Sequence, residues 1–475
     1  MSNICIVRKP YDGSELGRIP FESEAEISDA LDLAVKAFEK WRHSSSHERS
    51  QLLLSVAARL EARRQEFAML IRDEAGKPIA LAEAEVLRAL GVLRWAAAET
   101  LRSAGELLRL DVVGSGRPGY GLATRFPRGP ILGITPFNFP LNLLVHKLAP
   151  AIASGNSILI KPSPFTPLTA QRFVSIFHEV GAIEGLAEIV MADDAATEKL
   201  TRAPAIAMVS FTGSARVGKL IQAQAVGKPV TLELGGNAWV AVLEDTPESA
   251  YPAIARKITG GAFGYAGQSC ISVQNVALPH SIADAFTAAL KRATEETLYG
   301  NPNDPNVVSG PLINDAAAVR IENELKKVAN DCEMIQSKKL SGDSGPNSRM
   351  VPPTLLCLKK DPAWLAQATI IQEEIFGPVM TVSRFADASE LIDRINSSRY
   401  GLQAGIFTQR WDLIERFYKD LQVGGLVIND APTTRYDHQP YGGEKDSGTG
   451  REGVQYAMEE MTTVKFLGLS SQLPS

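Results

Sequence analysis

The sequence predicts an α/β protein in which parallel sheets carry helices on both faces. From about residue 129 onward, short apolar segments rich in β-branched residues alternate with amphipathic segments of helical period. This alternation is typical of βαβ units, in which a crossover helix joins two neighbouring parallel strands. The chain has 475 residues, which is enough for two or three domains.

The first part of the chain predicts helices. Apolar positions recur every three or four residues over 23–40, 47–75 and 80–103, with charged residues between them. Gly, Arg and Pro then interrupt β-type residues over 110–130, which indicates a hairpin or an extended arm. The α/β alternation follows, and we expect strands at 129–135, 156–161, 189–191 and 205–211 and helices at 140–153, 167–180, 195–201 and 214–225.

A second α/β region begins near Glu233 and continues through most of the remaining chain. Its periodicity predicts helices around 251–264, 281–298 and 314–330. The segment 338–350 is rich in Ser, Gly and Lys, and we expect it to be a surface loop.

Composition and charge argue against several kinds of protein. The net charge of −5 and the sequence pI of about 5.8 provide no broad basic surface for nucleic acid. No stretch reaches the roughly 18–20 apolar residues of a membrane span. Charged residues precede any apolar run that could form the core of a signal peptide. We therefore expect neither nucleic acid nor a membrane among the partners.

The chain has four cysteines and no CxxC pair; they are Cys5, Cys270, Cys332 and Cys357. This spacing predicts neither a structural zinc site nor a disulfide framework, and we expect no metal. Free thiols of this kind are typical of the reducing cytoplasm, where we expect the protein to be located.

Two glycine-containing segments match phosphate-binding patterns. Residues 114–119 read GSGRPG and fit GxGxxG, but Pro118 and the β-type residues after it argue against the helix that this pattern needs. We therefore expect a loop there. In the other segment, Gly213 follows an apolar strand and Ser214 stands where it can cap the next helix. That turn is either a plain helix cap or a phosphate site at a helix N-terminus.

Cys270 ends the segment Gly267-Gln268-Ser269-Cys270, which follows a glycine-rich helix. Small and polar neighbours indicate backbone packed close to a ligand, and such a setting suits a nucleophile. A lone cysteine is more often a small buried hydrophobe, so both interpretations stay open at this point.

Three polar residues lie at or just beyond the ends of expected strands. Glu233 is flanked by leucines, so it is either a general base with a raised pKa or one partner of a structural salt bridge. Asn138 either caps a helix or offers its amide to a developing oxyanion. Lys161 ends a strand at the sheet edge where α/β proteins bind ligands.

Seven short segments, taken together, resemble the aldehyde dehydrogenase superfamily. They occur in that family's order and with similar spacing over nearly the whole chain: TPFNFP at 135–140, KPSPFTP at 161–167, FTGS at 211–214, LELGGN at 232–237, GQSC at 267–270, EEIFGPV at 373–379 and PYGG at 440–443. Within the family, the chain is similar to the branch that oxidises lactaldehyde, phosphonoacetaldehyde and glyceraldehyde 3-phosphate.

The resemblance implies a domain organisation. It predicts two Rossmann-type α/β domains and a small β arm that joins subunits into a homodimer or homotetramer. The dinucleotide-binding domain would comprise 1–105 and 128–233, the catalytic domain 234–442, and the arm 106–127 and 455–475.

The resemblance also implies the chemistry. Cys270 would attack an aldehyde carbonyl while the Asn138 amide and the Cys270 N–H hold the oxyanion. Hydride would pass to the nicotinamide of NAD(P)+, and Glu233 would activate the water that hydrolyses the thioester to a carboxylic acid. The presence of Glu233 favours hydrolysis over transfer to coenzyme A, because the acylating branch commonly lacks that acid. A CoA-acylating enzyme is the alternative within the family.

The expected cofactor residues follow from the same motifs. Lys161 resembles the family's ribose-binding lysine, and Ser214 its pyrophosphate contact. Glu374 resembles the nicotinamide-ribose ligand and Phe376 the aromatic residue near the nicotinamide. The same site is expected to include Thr135, Phe137 and Gly213.

One departure from the family pattern concerns the choice between NAD+ and NADP+. Pro164 stands three positions after Lys161, where NAD-preferring relatives often carry a glutamate that binds the adenine-ribose hydroxyls. Without that carboxylate, a 2′-phosphate meets no repulsion at this position. We therefore expect NADP+ to be accepted.

The expected substrate pocket is polar. Asn142 and His146, on the helix that follows Asn138, and Arg435, before PYGG, occupy positions that are often bulky and apolar in relatives. Phe139 is expected in the same pocket. We expect a small polar or anionic aldehyde with Arg435 as its anchor. A local salt bridge from Arg435 to Asp437 is the alternative.

Two other classes of protein compete with this interpretation. A cysteine hydrolase or acyltransferase without a redox step would need a histidine to activate Cys270, yet none of the six histidines lies in a recognisable signature. A catalytically idle binding protein is disfavoured, because Cys270, Glu233 and Asn138 are all present.

Overall fold

The computed structural model describes residues 4–102, 105–114, 119–341, 343, 348–359 and 368–470. The chain begins with an antiparallel hairpin of Ile4–Arg8 and Glu15–Pro20, followed by the helices Glu24–Trp41, Ser46–Ala62, Arg64–Ala75 and Ile79–Arg102. The first two helices begin at capping boxes, in which Ser23 and Ser45 each exchange hydrogen bonds with a glutamate three residues later. The single helix expected over 47–75 is wrong, because the chain leaves helical geometry at Arg63, with φ −113° and ψ 17°.

A six-stranded sheet forms the first α/β unit. Its spatial order is Gly448–Thr449, Val230–Glu233, Met208–Thr212, Ile131–Ile134, Ile158–Lys161 and Ala187–Ile189. All neighbours are parallel except Gly448–Thr449, which is antiparallel to its partner. The crossover helices are Asn142–Ala153, Pro167–Glu179, Asp194–Arg202 and Ala215–Gln224. The expected elements of this unit are confirmed to within three residues at each end.

The order of these strands creates a crevice for a ligand. From Ile131–Ile134 the chain builds the sheet outward in one direction, and it then returns to Met208–Thr212 on the other side. Helices therefore diverge at the carboxyl ends of these two strands, which is where open α/β sheets bind ligands.

A seven-stranded sheet forms the second unit. Its order is Cys332–Gln336, Thr354–Leu358, Val379–Phe385, Val273–Pro279, Ala238–Val242, Gln403–Phe407 and Gly425–Ile428. Only Cys332–Gln336 is antiparallel to its neighbour. In the described part of this unit the α-helices are Tyr251–Phe263, Ala283–Glu296, Asp315–Val328, Thr369–Gln372, Ala388–Asn396 and Trp411–Asp420.

Shorter elements connect this framework. The 3-10 turns Glu248–Ala250 and Gly264–Gly267 flank the helix Tyr251–Phe263. Two small ladders pair Leu298–Tyr299 with Lys338–Lys339 and Tyr400–Gly401 with Glu444–Lys445. The loop expected over 338–350 therefore begins with a two-residue strand, and residues 342 and 344–347 of it lie outside the described residues.

A three-stranded antiparallel sheet forms the arm. Gly119–Pro127 lies at its centre, between Glu106–Arg109 and Thr462–Ser470. Of the GSGRPG segment, residues 115–118 lie outside the described residues, and a strand rather than a helix follows it. The second segment expected for the arm, 455–475, begins inside a helix. Residues 455–460 belong to a helix, Val454–Glu460, whose apolar face joins the core of the first unit.

The helix Asn142–Ala153 anchors the first unit beside the crevice. All of its residues are buried, and it packs against Ile79–Arg102 and Val454–Glu460 in the same core. A helix enclosed on every side is held firmly, so the loop that precedes it is well placed to fix a catalytic side chain. Within the described residues, no helix combines the length and apolarity needed to cross a membrane.

Candidate active site

A cavity of about 1160 Å³ runs between the two α/β units. Its walls include the loops after the strands Ile131–Ile134 and Met208–Thr212, together with the segments that precede Val273–Pro279 and Val379–Phe385. This volume exceeds the roughly 300–1,000 Å³ of most small-molecule pockets, so the cavity has room for a dinucleotide and a second small ligand. The candidate residues that line it are Thr135, Phe137, Asn138, Phe139, Asn142, Lys161, Pro164, Gly213, Ser214, Cys270, Glu374, Phe376 and Arg435.

A left-handed turn carries the polypeptide to Cys270. Tyr265, Ala266 and Gly267 have φ values of 54°, 54° and 66°. Left-handed geometry is costly for residues with a side chain, so packing must hold this turn in place. The hydroxyl of Tyr265 donates a hydrogen bond to the Ala75 carbonyl at 2.8 Å, and a Cβ at Gly267 would collide with the Gly377 carbonyl.

The thiol of Cys270 is half-buried and faces the cavity. Its Sγ lies 3.4 Å from the hydroxyl oxygen of Tyr441. Burial raises the pKa of Cys270 to about 12, while the hydrogen bond with Tyr441 and the charge of Arg435 oppose that rise. The thiol is therefore protonated in the free enzyme at neutral pH, and it needs a nearby donor or cation to react as a thiolate.

The side chain of Asn138 lies against the same loop. Its Nδ2 donates a hydrogen bond of 2.9 Å to the carbonyl of Gln268, two residues before Cys270. The Gln268 side chain is itself fixed, because its Oε1 accepts from the N–H of Ile313 at 2.9 Å. An amide held at this place can donate its second hydrogen to an oxyanion formed next to Cys270.

Glu233 ends the strand Val230–Glu233 behind the cavity wall. Its side chain is buried, and neither carboxylate oxygen has a hydrogen-bond partner among the described residues. Burial raises the pKa of Glu233 well above its ordinary range, and the nearby Glu452 adds to this rise. A carboxyl with a raised pKa and no partner suits a general base, whereas the salt bridge considered as an alternative is not formed.

The segment after Glu233 makes room for the loop that carries Cys270. A Cβ on Gly236 would collide with the Cys270 carbonyl, so the two segments can approach only because this residue is glycine. The negative charge of Glu233 contributes to the raised pKa of Cys270, which agrees with this close approach.

A buried ionic network lies next to Glu233. Lys147 Nζ lies 2.7 Å from Glu452 and donates to the Ser210 hydroxyl at 3.1 Å. Arg435 Nη2 lies 3.2 Å from the other Glu452 oxygen. Burial alone would raise the pKa of Glu452, but Lys147 and Arg435 outweigh it and lower that pKa to about 2. Glu452 is therefore ionised and shared between two cations.

The other end of the cavity fits a dinucleotide. Ser214 caps the helix Ala215–Gln224, and the first turn of such a helix presents N–H groups to a phosphate. The hydroxyl of Thr212 is buried without a partner among the described residues, next to Gly213. Lys161 lines the cavity, and burial lowers its pKa. These groups are the donors that a bound phosphate or ribose requires.

The expected nicotinamide end of the cofactor site combines a buried carboxylate with two aromatic rings. The Glu374 carboxylate is buried and accepts a hydrogen bond of 3.0 Å from the Gly236 N–H, and burial raises its pKa to about 7. Phe376 has a φ of 48°, and its ring packs edge-on against Phe137 at 5.9 Å. Phe137 and Phe376 therefore form an apolar wall beside a carboxylate that can accept from ribose hydroxyls.

The substrate end agrees with the sequence prediction except for His146. Phe139, Asn142 and Arg435 line the cavity, and neither polar atom of the Asn142 side chain has a partner among the described residues. His146 is fully buried and does not line the cavity, because its Nε2 bonds to Asp437 at 2.9 Å. The local salt bridge considered for Arg435 and Asp437 is not formed.

Several functional candidates escaped the sequence analysis. Tyr441 lies within the PYGG segment but had no assigned role, and that motif is the signal that could have identified it. Lys147 and Glu452 carry no local signal, because each pairs with a residue from a distant part of the chain. Gln268 lies within the GQSC segment but had no assigned role. A further buried carboxylate, that of Glu85, pairs with Lys77 and accepts hydrogen bonds from the N–H groups of Leu141 and Asn142 at the start of the helix after Asn138.

Comparison with known proteins agrees with this geometry. The aldehyde dehydrogenase family matches residues 2–467. A 3-sulfolactaldehyde dehydrogenase of Priestia megaterium is 36% identical over 466 residues, which cover 98% of this chain and 94% of that protein.

Solved structures are similar over almost the whole chain. An aldehyde dehydrogenase from Physcomitrella patens in complex with its reaction product succinate superposes with a TM-score of 0.93 and 33% identity, covering 99% of this chain and 95% of that one. An NADP-dependent glyceraldehyde-3-phosphate dehydrogenase from Bacillus halodurans, complexed with NADP, has a TM-score of 0.91 and 34% identity. The match covers 98% of this chain and 96% of that one.

The chain therefore belongs to the aldehyde dehydrogenase family and is an NAD(P)-dependent dehydrogenase of aldehydes. The family, the fold and this activity, all expected from the sequence, are thereby confirmed. Within the described residues, no group of three or more potential metal ligands is found.

Proposed function

We propose that this enzyme oxidises a small anionic aldehyde to its carboxylic acid through a thioester on Cys270. The observation that carries the substrate class is the buried guanidinium of Arg435, which lines the cavity next to the nucleophile. Its Nε has no hydrogen-bond partner among the described residues. A buried cation with a free N–H favours an anionic group on the substrate.

The first step is the attack of Cys270 on the aldehyde. The thiol loses its proton, and the sulfur forms a bond to the carbonyl carbon while the carbonyl π electrons move to oxygen. The Asn138 amide and the Cys270 N–H donate to this oxyanion, an arrangement often worth about 3–4 kcal/mol per donor in the transition state. The hydroxyl of Tyr441 donates to the thiolate before the attack.

The oxidation uses the dinucleotide. When bound, NAD(P)+ would supply the hydride acceptor for this oxidation, which would convert the oxyanion intermediate on Cys270 into a thioester. Lys161, Ser214 and Glu374 would hold the dinucleotide through its ribose and phosphate groups, and the rings of Phe137 and Phe376 would form the wall next to its nicotinamide.

Hydrolysis then releases the acid. Glu233 takes a proton from water, the resulting hydroxide attacks the thioester carbon, and the Cys270 sulfur leaves as thiolate. Aldehyde, NAD(P)+ and water thus yield a carboxylate, NAD(P)H and two protons. The raised pKa of Glu233 makes its carboxylate a stronger base than an exposed glutamate.

The relatives support an anionic substrate and NADP+ as an acceptor. Their names and complexes include 3-sulfolactaldehyde, succinate and NADP. In this chain Pro164 lines the cavity with no carboxylate of its own, and Lys161 and Arg216 line the same cavity, although Asp194 and Glu198 also line it. We propose that NADP+ is used efficiently.

An aldehyde panel tests the proposal. Absorbance at 340 nm would be followed with each cofactor for 3-sulfolactaldehyde and for lactaldehyde, which has the same carbon skeleton without the sulfonate. We expect kcat/KM to be higher for the sulfonate. Arg435→Gln should lower kcat/KM for the sulfonate by about 10- to 100-fold, through KM, and should change KM for lactaldehyde little. Long alkyl aldehydes as the best substrates would contradict the proposal.

The alternatives receive less support from the site. The acylating branch commonly lacks the acid that Glu233 provides here, so transfer to coenzyme A is not favoured. A cysteine hydrolase would place a histidine beside Cys270. All six histidines lie in the described part of the chain, and none of them lines the cavity.

We also propose a homodimer or homotetramer held by the arm. Its sheet exposes large apolar side chains on both faces, including Leu107, Phe466, Leu467 and Leu469, each at least half exposed. Several large apolar side chains exposed on one small sheet are typical of a subunit interface. The cytoplasmic location expected from the sequence stays a prediction.

A further inference from the structure

Arg435 stands between the substrate cavity and the carboxylates that serve hydrolysis. Arg435 lines the cavity, and its buried Nε has no hydrogen-bond partner among the described residues. Its guanidinium holds Glu452 through Nη2 at 3.2 Å and stacks on the ring of Tyr441, with Cζ 3.7 Å from the ring centre. Arg435 and Glu452 are 6% and 2% exposed, so little water screens the charges between them.

Glu233 lies close to this network in the sheet, because it pairs with Gly448, just before Arg451 and Glu452, and because Lys147 bonds to Ser210 on the neighbouring strand. Glu452 disfavours its ionised form, while the cations Arg435, Lys147 and Arg451 favour it. Cys270 and Tyr441 also face it, and both remain neutral when they are not reacting. Among the three cations, Arg435 is the one whose place in the cavity wall would bring it into contact with a substrate.

We propose that Arg435 couples the charge of the substrate to hydrolysis of the thioester by setting the ionisation of Glu233. This inference rests on the proposed function, because it uses the same contact between Arg435 and an anionic substrate. The anionic group of a bound substrate offsets the positive charge of Arg435, which otherwise stabilises the negative charges of Glu452 and Glu233. Glu233 then ionises at higher pH, and its carboxylate becomes a stronger base. Arg435 is thus a positioning residue for hydrolysis as well as a substrate contact.

The proposal makes a prediction for neutral substrates that a simple anchor does not. An anchor affects only how well an anionic aldehyde binds. A residue that sets the ionisation of Glu233 also affects the hydrolysis of a thioester that carries no charge. The decay of the thioester isolates this effect, because the Cys270 sulfur is already acylated and its own ionisation no longer enters.

The experiment follows thioester decay from pH 5.5 to 9.5 in the full-length enzyme. Enzyme and cofactor are mixed with lactaldehyde or 3-sulfolactaldehyde and quenched with acid, and the acylated Cys270 peptide is quantified by mass spectrometry. At low pH the rate of thioester decay should fall as Glu233 is protonated, and we call this part of the pH profile the acid limb. In the natural enzyme we expect the acid limb for the sulfonate thioester to lie about one pH unit above that for the lactaldehyde thioester. The sulfonate thioester should therefore decay about tenfold more slowly at pH 6.

Two variants separate charge from shape. With Arg435→Gln, the lactaldehyde thioester should decay about tenfold more slowly than in the natural enzyme at pH 6, and within about twofold of it at pH 9. With Arg435→Lys, which keeps the charge, the acid limb for lactaldehyde should stay near its natural position. Arg88→Gln is the matched control. It removes another guanidinium from the cavity wall, but Arg88 pairs with Asp437 and not with Glu452, so its acid limb should not move.

Each outcome decides the question. If Arg435→Gln raises KM for the sulfonate but leaves the lactaldehyde limb in place, Arg435 is only an anchor, and the inference fails while the proposed function stands. If KM for the sulfonate is also unchanged, both fail. If Arg435→Gln does not fold, the natural enzyme still tests the inference, because coincident acid limbs for the two thioesters would overturn it.

Discussion

The Sγ of Cys270 and the hydroxyl oxygen of Tyr441 lie 3.4 Å apart, so the cysteine thiol has a phenol as its hydrogen-bond partner. The pKa of Cys270 is raised by burial to about 12, and the Tyr441 hydrogen bond acts in the opposite direction. The phenol therefore favours the thiolate, which is the form that attacks the aldehyde.

The first prediction concerns the ionisation of Cys270. In the free enzyme, with a pKa near 12, only about one thiol in ten thousand is ionised at pH 8, so alkylation by iodoacetamide should speed up about tenfold per pH unit from 7 to 10. Tyr441→Phe should raise that pKa further and slow alkylation about tenfold at pH 8. Mass spectrometry would assign the label to Cys270. The exposed Tyr436 provides the control, since Tyr436→Phe should have no effect. Equal rates in both variants would exclude this role for Tyr441.

The second prediction concerns the oxyanion. Asn138→Ala removes the amide that lies against the Cys270 loop, and kcat should fall by about 10²–10³-fold with a small change in KM. Steady-state kinetics with the best aldehyde would measure this. Asn303→Ala, at an exposed turn, is the control for the loss of an asparagine. A fall confined to KM would indicate that Asn138 only binds substrate.

The third prediction concerns Glu233 as the base. Glu233→Gln keeps the shape of the side chain but removes its basicity, so one equivalent of NAD(P)H should form rapidly and turnover should then slow by about 10²-fold or more. Rapid-mixing absorbance would record the burst, and the thioester should accumulate on Cys270. The slow phase should not accelerate when coenzyme A is added. Acceleration to the natural rate would favour the acylating alternative.

The fourth prediction concerns the dinucleotide. Pro164→Glu introduces a carboxylate into the cavity wall next to Lys161, where it would repel a 2′-phosphate. The ratio of kcat/KM for NADP+ to that for NAD+ should fall by about tenfold or more, since one misplaced charge typically costs more than 1.4 kcal/mol in a poorly solvated site. Pro204→Glu makes the same change at an exposed position away from the cavity and should leave the ratio unchanged. A natural enzyme that strongly prefers NAD+ would already contradict the proposal.

The fifth prediction concerns the arm. Leu467→Asp with Leu469→Asp places two charges on the same face of the strand Thr462–Ser470. Light scattering should then give a mass closer to that of the 51.2 kDa chain than to that of a dimer. Leu87→Asp, at an exposed leucine on the helix Ile79–Arg102, is the control and should keep the natural mass. An unchanged oligomer in the arm variant would place the interface elsewhere.

Much of the framework could be predicted from local patterns. The strand Ile131–Ile134 and the helix Asn142–Ala153 follow from apolar runs and helical periodicity, and these signals lie within a few residues of one another in the chain. The break at Arg63 was not predicted, because a helix that ends and restarts within two residues keeps the same apolar period on both sides.

The site shows the same division. By itself the sequence determined the α/β architecture and the order of the motifs. It also identified the candidates Cys270, Asn138 and Glu233, because each of them lies in a short motif of neighbouring residues. Tertiary structure alone decided that His146 turns away from the cavity and that Arg435 pairs with Glu452 instead of Asp437. The physical reason is that the free energy of a buried charge depends on every charge packed around it, and folding draws those charges from distant parts of the chain.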